Sequence, residues 1–295
     1  MDIKEEIKIH ADQTEEIITK YLPAETGFQK TVIEAMNYSF LAGGKRLRPM
    51  MMYETYRLFG GASQIVEPFM AALEMIHTYS LIHDDLPAMD NDEYRRGRKT
   101  THVVYGEAMG ILAGDGLLNL AYETALTALE MEPENPNVGK ALRILAKNAG
   151  IYGMLGGQVV DVESEGLPLS REKLDFIYSL KTGALIESAM LIGAVLAGAD
   201  EKEQEQISSA AKDVGLAFQI QDDILDVIGD QEVIGKPVGS DEKNQKTTYV
   251  TLRGIEQACA DVEMISRRAI RTMESLPVRN EFLNELIRYL IVRNK

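Results

Sequence analysis

Apolar residues along this chain recur at intervals of three and four. Ile17, Ile18, Tyr21 and Leu22 follow that spacing near the start, and Leu283, Leu286, Ile287, Leu290 and Ile291 repeat it near the end. Such spacing places the apolar side chains on one face of an α-helix. From Asp200 to Ile228 the pattern continues unbroken through Ile207, Ala211, Val214, Phe218, Gln221 and Leu225. No series of alternating, strand-like segments competes with it. Prolines 23, 49, 68, 133, 136, 168, 237 and 277 fall where the periodicity starts or stops, as helix punctuation should. Ser170 before Arg171-Glu172-Lys173 predicts a capped helix start. The segment Gly183 to Gly198 is apolar on more than one face, which predicts a buried helix. The chain therefore predicts an all-α fold. No linker divides it, so residues 1–295 are expected to form a single large domain of ten or more packed, mostly antiparallel helices. Gly153, Gly156 and Gly157 suit either close helix packing or a face turned to a substrate.

Composition narrows the function classes. The 295 residues are 45% hydrophobic and 26% charged, enough to bury a large core. Lys and Arg number 31 against 46 Asp and Glu, a net charge of −15. Long-range repulsion at that charge disfavours nucleic acid and anionic lipid as partners. Cys259 is the single cysteine and cannot form an intrachain disulfide. The charged start Met1-Asp2-Ile3-Lys4-Glu5-Glu6 lacks the apolar stretch of a secretory signal. Apolar runs such as Ala189 to Ala199 are shorter than the ~18–20 residues that span a bilayer. The expectation is a cytoplasmic protein with no integral membrane segment.

Two acidic clusters carry the candidate chemistry: Asp84-Asp85-Leu86-Pro87-Ala88-Met89-Asp90 and Asp222-Asp223-Ile224-Leu225-Asp226. A single cluster in so acidic a chain is ordinarily a solvated surface. Here, however, both interrupt strongly apolar segments, where unpaired carboxylates are costly. Asp222 and Asp226 stand one helical turn apart and share a face. Asp84 and Asp90 are six residues apart, which a straight helix would turn to different sides. Pro87 removes an amide from that helix, and a distortion there would return Asp90 to Asp84.

Cations also cluster, in Gly43-Gly44-Lys45-Arg46-Leu47-Arg48-Pro49 and in Arg95-Arg96-Gly97-Arg98-Lys99, with Lys181, Lys236 and Lys246 in turn-like contexts. Separate acidic and basic groups suit a diphosphate bridged to carboxylates by Mg²⁺, with Arg and Lys neutralising the remaining charge. Zinc would call for cysteine and histidine, and neither cluster has the pattern of a calcium loop. No Walker loop, dinucleotide fingerprint or Gly-x-Ser-x-Gly nucleophile motif is present.

Taken in order, these blocks resemble the trans-isoprenyl diphosphate synthases, most closely the bacterial members that make farnesyl diphosphate. The resemblance rests on Gly43 to Pro49, His77 to Asp90, Arg95-Arg96-Gly97, Ala113-Gly114-Asp115, Lys181-Thr182-Gly183, Phe218 to Asp226 and Gly235-Lys236. It implies packed helices around a deep central cavity, a homodimer, and a requirement for Mg²⁺. It implies that Asp84 and Asp90 hold Mg²⁺ on an allylic diphosphate, with Asp85 between them, and that Asp222 with Asp226 holds a further Mg²⁺. Arg95, Lys181, Thr182, Gln219, Lys236 and Lys246 would face the allylic diphosphate. Lys45, Arg48, His77 and Arg96 would bind isopentenyl diphosphate.

By itself His77 reads as an ordinary buried histidine, as do His10, His83 and His102. Tyr79, beside Ser80, lies five residues before Asp84, about 7.5 Å along a helix. By resemblance its ring floors a hydrophobic tunnel and stops growth at (2E,6E)-farnesyl diphosphate, built from dimethylallyl and then geranyl diphosphate. Three alternatives share parts of the pattern. A geranylgeranyl diphosphate synthase shares every motif, and a terpene cyclase would not need Lys45, Arg48 and Arg96. A non-catalytic subunit would tend to lose an aspartate cluster.

Overall fold

In the computed structural model, residues 2–228 and 247–291 are described. Lys236 and Lys246 lie outside them. Among the described residues the helices are α1 (Ile3–Ile18), α2 (Lys30–Phe40), α3 (Leu47–Leu58), α4 (Glu67–Asp84), α5 (Thr101–Tyr105), α6 (Glu107–Leu126), α7 (Ala128–Met131) and α8 (Pro136–Ala149). They continue with α9 (Met154–Glu163), α10 (Arg171–Ile177), α11 (Gly183–Leu196), α12 (Glu201–Ile228), α13 (Tyr249–Arg253), α14 (Ile255–Glu274) and α15 (Glu281–Ile291). The all-α prediction holds, and α12 follows the long apolar repeat to within a residue.

Residues pack as two units. One comprises Met1–Tyr53 and Ala62–Leu142, the other Glu54–Gly61 and Arg143–Lys295. In the first, α4 is the central element. Twelve of its eighteen residues are buried, and Phe69, Met70, Leu73, Met75 and Ile76 have no exposed surface. Pro68 sits in its first turn, where a missing amide costs nothing. Helices α6, α1 and α2 pack against it.

In the second unit α12 packs against α11, α14 and α15. Twelve of the fourteen residues of α11 are buried, as its all-round apolar pattern predicts. The stretch Arg171–Leu196 is long and apolar enough to cross a membrane, but 67% of its most apolar window is buried inside the protein. That apolar surface belongs to the core. Ser170 caps α10 as expected, its hydroxyl accepting from the amide of Lys173.

Two local features depart from the simple periodicity. Tyr178–Thr182 forms a π-helical turn between α10 and α11, so the helix is not regular through Lys181 and Thr182. Such wide turns add a residue without breaking the helix and commonly mark functional positions. Among the basic residues after Asp90, β1 (Tyr94–Arg95) pairs antiparallel with β2 (Arg98–Lys99). Arg96 and Gly97 connect them with φ of 53° and 74°. Two consecutive left-handed residues make the hairpin turn that matches strand twist. Arg-Gly is not the usual sequence for it, which is why the pattern of apolar positions did not show it.

Of the two readings of Gly153, Gly156 and Gly157, close packing accounts for Gly157. A methyl there would lie 2.3 Å from the backbone nitrogen of Lys181. Gly157→Ala must therefore push the π-turn away. It is expected to destabilise the protein by about 1–3 kcal/mol, as overpacking does, read as a lower midpoint in thermal unfolding.

Candidate active site

The first aspartate cluster sits at the end of α4. The helix closes at Asp84, and the amide of Leu86 turns back to the carbonyl of His83 at 3.2 Å. Pro87 offers no amide, and the chain folds over. The amide of Asp90 then donates to the carbonyl of Asp84 at 2.9 Å. The anticipated distortion at Pro87 is present, and it returns residue 90 to residue 84.

Asp85 takes a different direction. It is 4% exposed, and its carboxylate is gripped by Arg95, with Nε at 2.8 Å and Nη2 at 2.7 Å from Oδ1. Burial pushes the Asp85 carboxyl up against the pull of Arg95. For Arg95, burial favours the neutral form, but the bonds to Asp85 overcome it and hold the guanidinium above its ordinary value. Asp85 is thus the residue that fixes Arg95 on the hairpin.

The basic loop before α3 divides its labour in the same way. Arg46, with φ of 47°, is buried. It donates to Glu74 at 2.6 Å and to the Phe40 carbonyl at 2.6 Å, and it pairs with Glu15. Glu15 and Glu74 hold it charged despite burial. Arg46 is structural.

Arg48 is the contrast. Its Nε is buried with no hydrogen-bond partner. Burial lowers its pKa, Glu74 opposes this, and Arg96 lowers it further. A buried, unpaired guanidinium nitrogen is costly and marks a place where an anion would be welcome. Arg96 bonds to the carbonyl of Gly43, which ties the hairpin to the basic loop. Burial and the neighbouring Arg46 and Arg95 lower its pKa, with Glu74 opposing.

His77, two turns before Asp84 on α4, feels this crowding most. Burial first, and then Arg48, Arg96, Arg95 and Arg46, push its pKa well below the ordinary value. It is neutral near pH 7 and available as a hydrogen-bonding group. Tyr79 is 7% exposed and in the helical position expected, with its hydroxyl pushed up to about 12 by burial, Tyr122 and Asp84. Ser80 is half-buried and donates to the carbonyl of His77 at 2.9 Å. Lys45 is exposed on the basic loop.

In the second unit, the π-turn presents Lys181 and Thr182. Lys181 Nζ lies 2.7 Å from Asp161 on α9, and Thr182 donates to Gln219 on α12 at 2.9 Å. Asp161 had no place in the sequence reading. Its only signal there was proximity to Gly157, whose close approach to Lys181 the structure shows. Asp222 and Asp226 are half-buried one turn apart on α12. Asp223 points elsewhere, is 4% exposed, and accepts from the Tyr178 hydroxyl at 2.5 Å and the Tyr249 amide at 2.8 Å. The middle aspartate of this cluster pins the π-turn and the start of α13.

Among the described residues, no three His, Cys, Asp or Glu side chains are grouped to hold a metal by themselves. Pairs of half-exposed carboxylates would instead fit a hard cation that takes part of its oxygen ligands from a phosphate.

The displaced pKa of His77 sets a pH dependence. The unfolded histidine binds a proton below about pH 6.5, while the native one stays neutral to lower pH. Across that window the unfolded chain holds more protons, so stability falls as pH falls, by at most about 1.4 kcal/mol per pH unit from this group. Denaturant titrations between pH 7 and 5.5 should show a shallower loss for His77→Gln than for the wild type.

Comparison with known proteins identifies relatives over most of the chain. Geranylgeranyl diphosphate synthase of Cyanophora paradoxa is 44% identical over 256 residues, covering 86% of this chain and 84% of that protein. Farnesyl diphosphate synthase of Geobacillus stearothermophilus is 46% identical over 245 residues, 83% of this chain and 82% of that protein. The crystal structure of an FPP/GFPP synthase from Zymomonas mobilis matches with a TM-score of 0.86 at 30% identity, over 98% of this chain and 99% of that one. A family model described as Polyprenyl synthetase matches residues 29–281, so the resemblance read from the motifs is confirmed and the chain belongs to the polyprenyl synthetase family.

Proposed function

We propose that this chain is a prenyltransferase that condenses isopentenyl diphosphate head-to-tail with dimethylallyl and then geranyl diphosphate, yielding (2E,6E)-farnesyl diphosphate. The observation that carries the reading is the concentration of guanidinium groups about neutral His77, with Arg48 Nε buried and unpaired. Family membership and the relatives named above support it.

Asp84 and Asp90, and separately Asp222 and Asp226, are the residues that would hold Mg²⁺. When bound, the metal neutralises charge developing on the departing diphosphate. The chain's own groups do the rest. Arg95 is held charged by Asp85, Lys181 is held by Asp161, and Thr182 donates to Gln219; by motif these groups are assigned to stabilising the leaving diphosphate. Lys181 counts among the catalytic groups in this reading, together with Asp84, Asp90 and Arg95; Asp85, also read as catalytic from the motif, acts through Arg95.

Lys45, Arg48 and Arg96 bind the diphosphate of isopentenyl diphosphate, and His77 donates to it without adding another charge. The isopentenyl double bond attacks C1 of the allylic cation. The proton then lost from the adduct passes to the released diphosphate, so no strong protein base is required. Lys236 and Lys246 are assigned to the allylic diphosphate by motif alone. A cytoplasmic location belongs to the same reading, supported by the burial of the apolar stretch Arg171–Leu196 and by a single, exposed Cys259. A homodimer belongs to it too, supported by the exposed apolar residues Ile111 and Leu112 on α6.

The test is chromatography of the products from labelled isopentenyl diphosphate, geranyl diphosphate and Mg²⁺. A fifteen-carbon product is expected, and absence of any prenyl product would overturn the reading. Arg48→Ala should raise KM for isopentenyl diphosphate about ten- to a hundredfold, the cost of losing a charged hydrogen bond. Geranylgeranyl diphosphate is the competing product, favoured by the Cyanophora relative. Tyr79→Ala should move the product to twenty carbons, and an unchanged length would show that Tyr79 does not set it.

A further inference from the structure

The mechanism above leaves His83 without a task, yet its surroundings are specific. It lies on α4 one residue before Asp84 and one turn after Tyr79. Its ring meets the Tyr79 ring edge-on, with centroids 5.8 Å apart and planes at 80°. Its Nε2 lies 3.1 Å from the Ile111 carbonyl and 3.8 Å from the Asp115 carboxylate, both on α6. The Ile111 carbonyl can only accept, which assigns the Nε2–H tautomer. The ring fills a notch over Gly114, where an added methyl would stand 2.1 Å from Nε2 and 2.3 Å from Cδ2. One face of His83 is therefore fixed to α6, and its other contact is the tyrosine proposed to limit product length.

We propose that His83 is a positioning residue for chain length. Tied to α6, it braces the Tyr79 ring from the Asp84 side, so the ring cannot turn aside as the prenyl chain grows. Tyr79 alone, attached through two rotatable bonds, would have other rotamers to adopt. An edge-to-face pair restricts that choice. The proposal rests on the reading that Tyr79 sets product length, and it adds that the block is only as firm as its support.

The experiment compares the full-length wild type with His83→Ala, Gly114→Ala, Tyr79→Ala and the double variant His83→Ala/Tyr79→Ala. Each is incubated with geranyl diphosphate, labelled isopentenyl diphosphate and Mg²⁺, and the ratio of twenty- to fifteen-carbon product is measured. Gly114→Ala perturbs the ring from the opposite helix. Alanine is the better helix former, so the strain falls on His83 and not on α6. His83→Ala and Gly114→Ala should each raise the ratio about two- to tenfold, the range expected for loss of one aromatic pair. In the Tyr79→Ala background, His83→Ala should add nothing.

The ratio is read from whatever fraction turns over, so lower yield or stability does not mask it. A purely structural histidine would lower turnover with the ratio unchanged in both His83→Ala and Gly114→Ala, and that result overturns the proposal. If Tyr79→Ala lengthens the product while those two variants do not, bracing fails and the role of Tyr79 survives. If Tyr79→Ala leaves the length unaltered, both fail together.

Discussion

Like charges held close together dominate this protein's site. Arg46, Arg48, Arg95 and Arg96 all act on His77, inside a chain whose overall charge is strongly negative. Such a group repels itself and survives only where carboxylates are buried beside it. Glu15 and Glu74 take up Arg46, and Asp85 takes up Arg95. Buried pairs of this kind do little for net stability, since desolvation offsets much of the attraction. They do fix where the remaining charge points. What they leave without a hydrogen-bond partner is the buried Nε of Arg48.

That imbalance links fold to chemistry. An anion with several charged oxygens meets prepaid orientation at this site, because the neutralising carboxylates have already ordered the cations around it. His77 fits the same logic. Burial first, and then the surrounding arginines, depress its pKa and leave it a neutral hydrogen-bonding group. The second unit repeats the device on a smaller scale. Asp161 holds Lys181, Gln219 receives Thr182, and Asp223 anchors the π-turn that carries both cationic and hydroxyl groups.

Each acidic cluster therefore contains two kinds of aspartate. Asp84 and Asp90, like Asp222 and Asp226, are partly exposed. Asp85 and Asp223 are buried and bind protein groups. In the written sequence Asp84-Asp85 and Asp222-Asp223 look like equivalent neighbours. Consecutive helical residues point about 100° apart, so one of each pair faces outward while the other reaches the interior.

The chain's apolar periodicity determined its helices, because an amphipathic or all-round apolar segment can bury its surface in few ways. It also fixed the limits of α12, the burial of α11 and the break after Asp84, since proline cannot donate the amide a helix needs. Motif order singled out Asp84, Asp90, Arg95, Lys181 and Asp222. The hairpin at Arg96-Gly97, the π-turn, and the partners Glu15, Glu74, Asp161 and Tyr178 were decided only when the helices packed. Those contacts join residues 20 to 45 positions apart, as for Lys181 with Asp161 and Tyr178 with Asp223. A side chain's local sequence records which face it occupies. What stands opposite that face, and so whether a charge is neutralised or left waiting for a ligand, depends on the packing of separate helices.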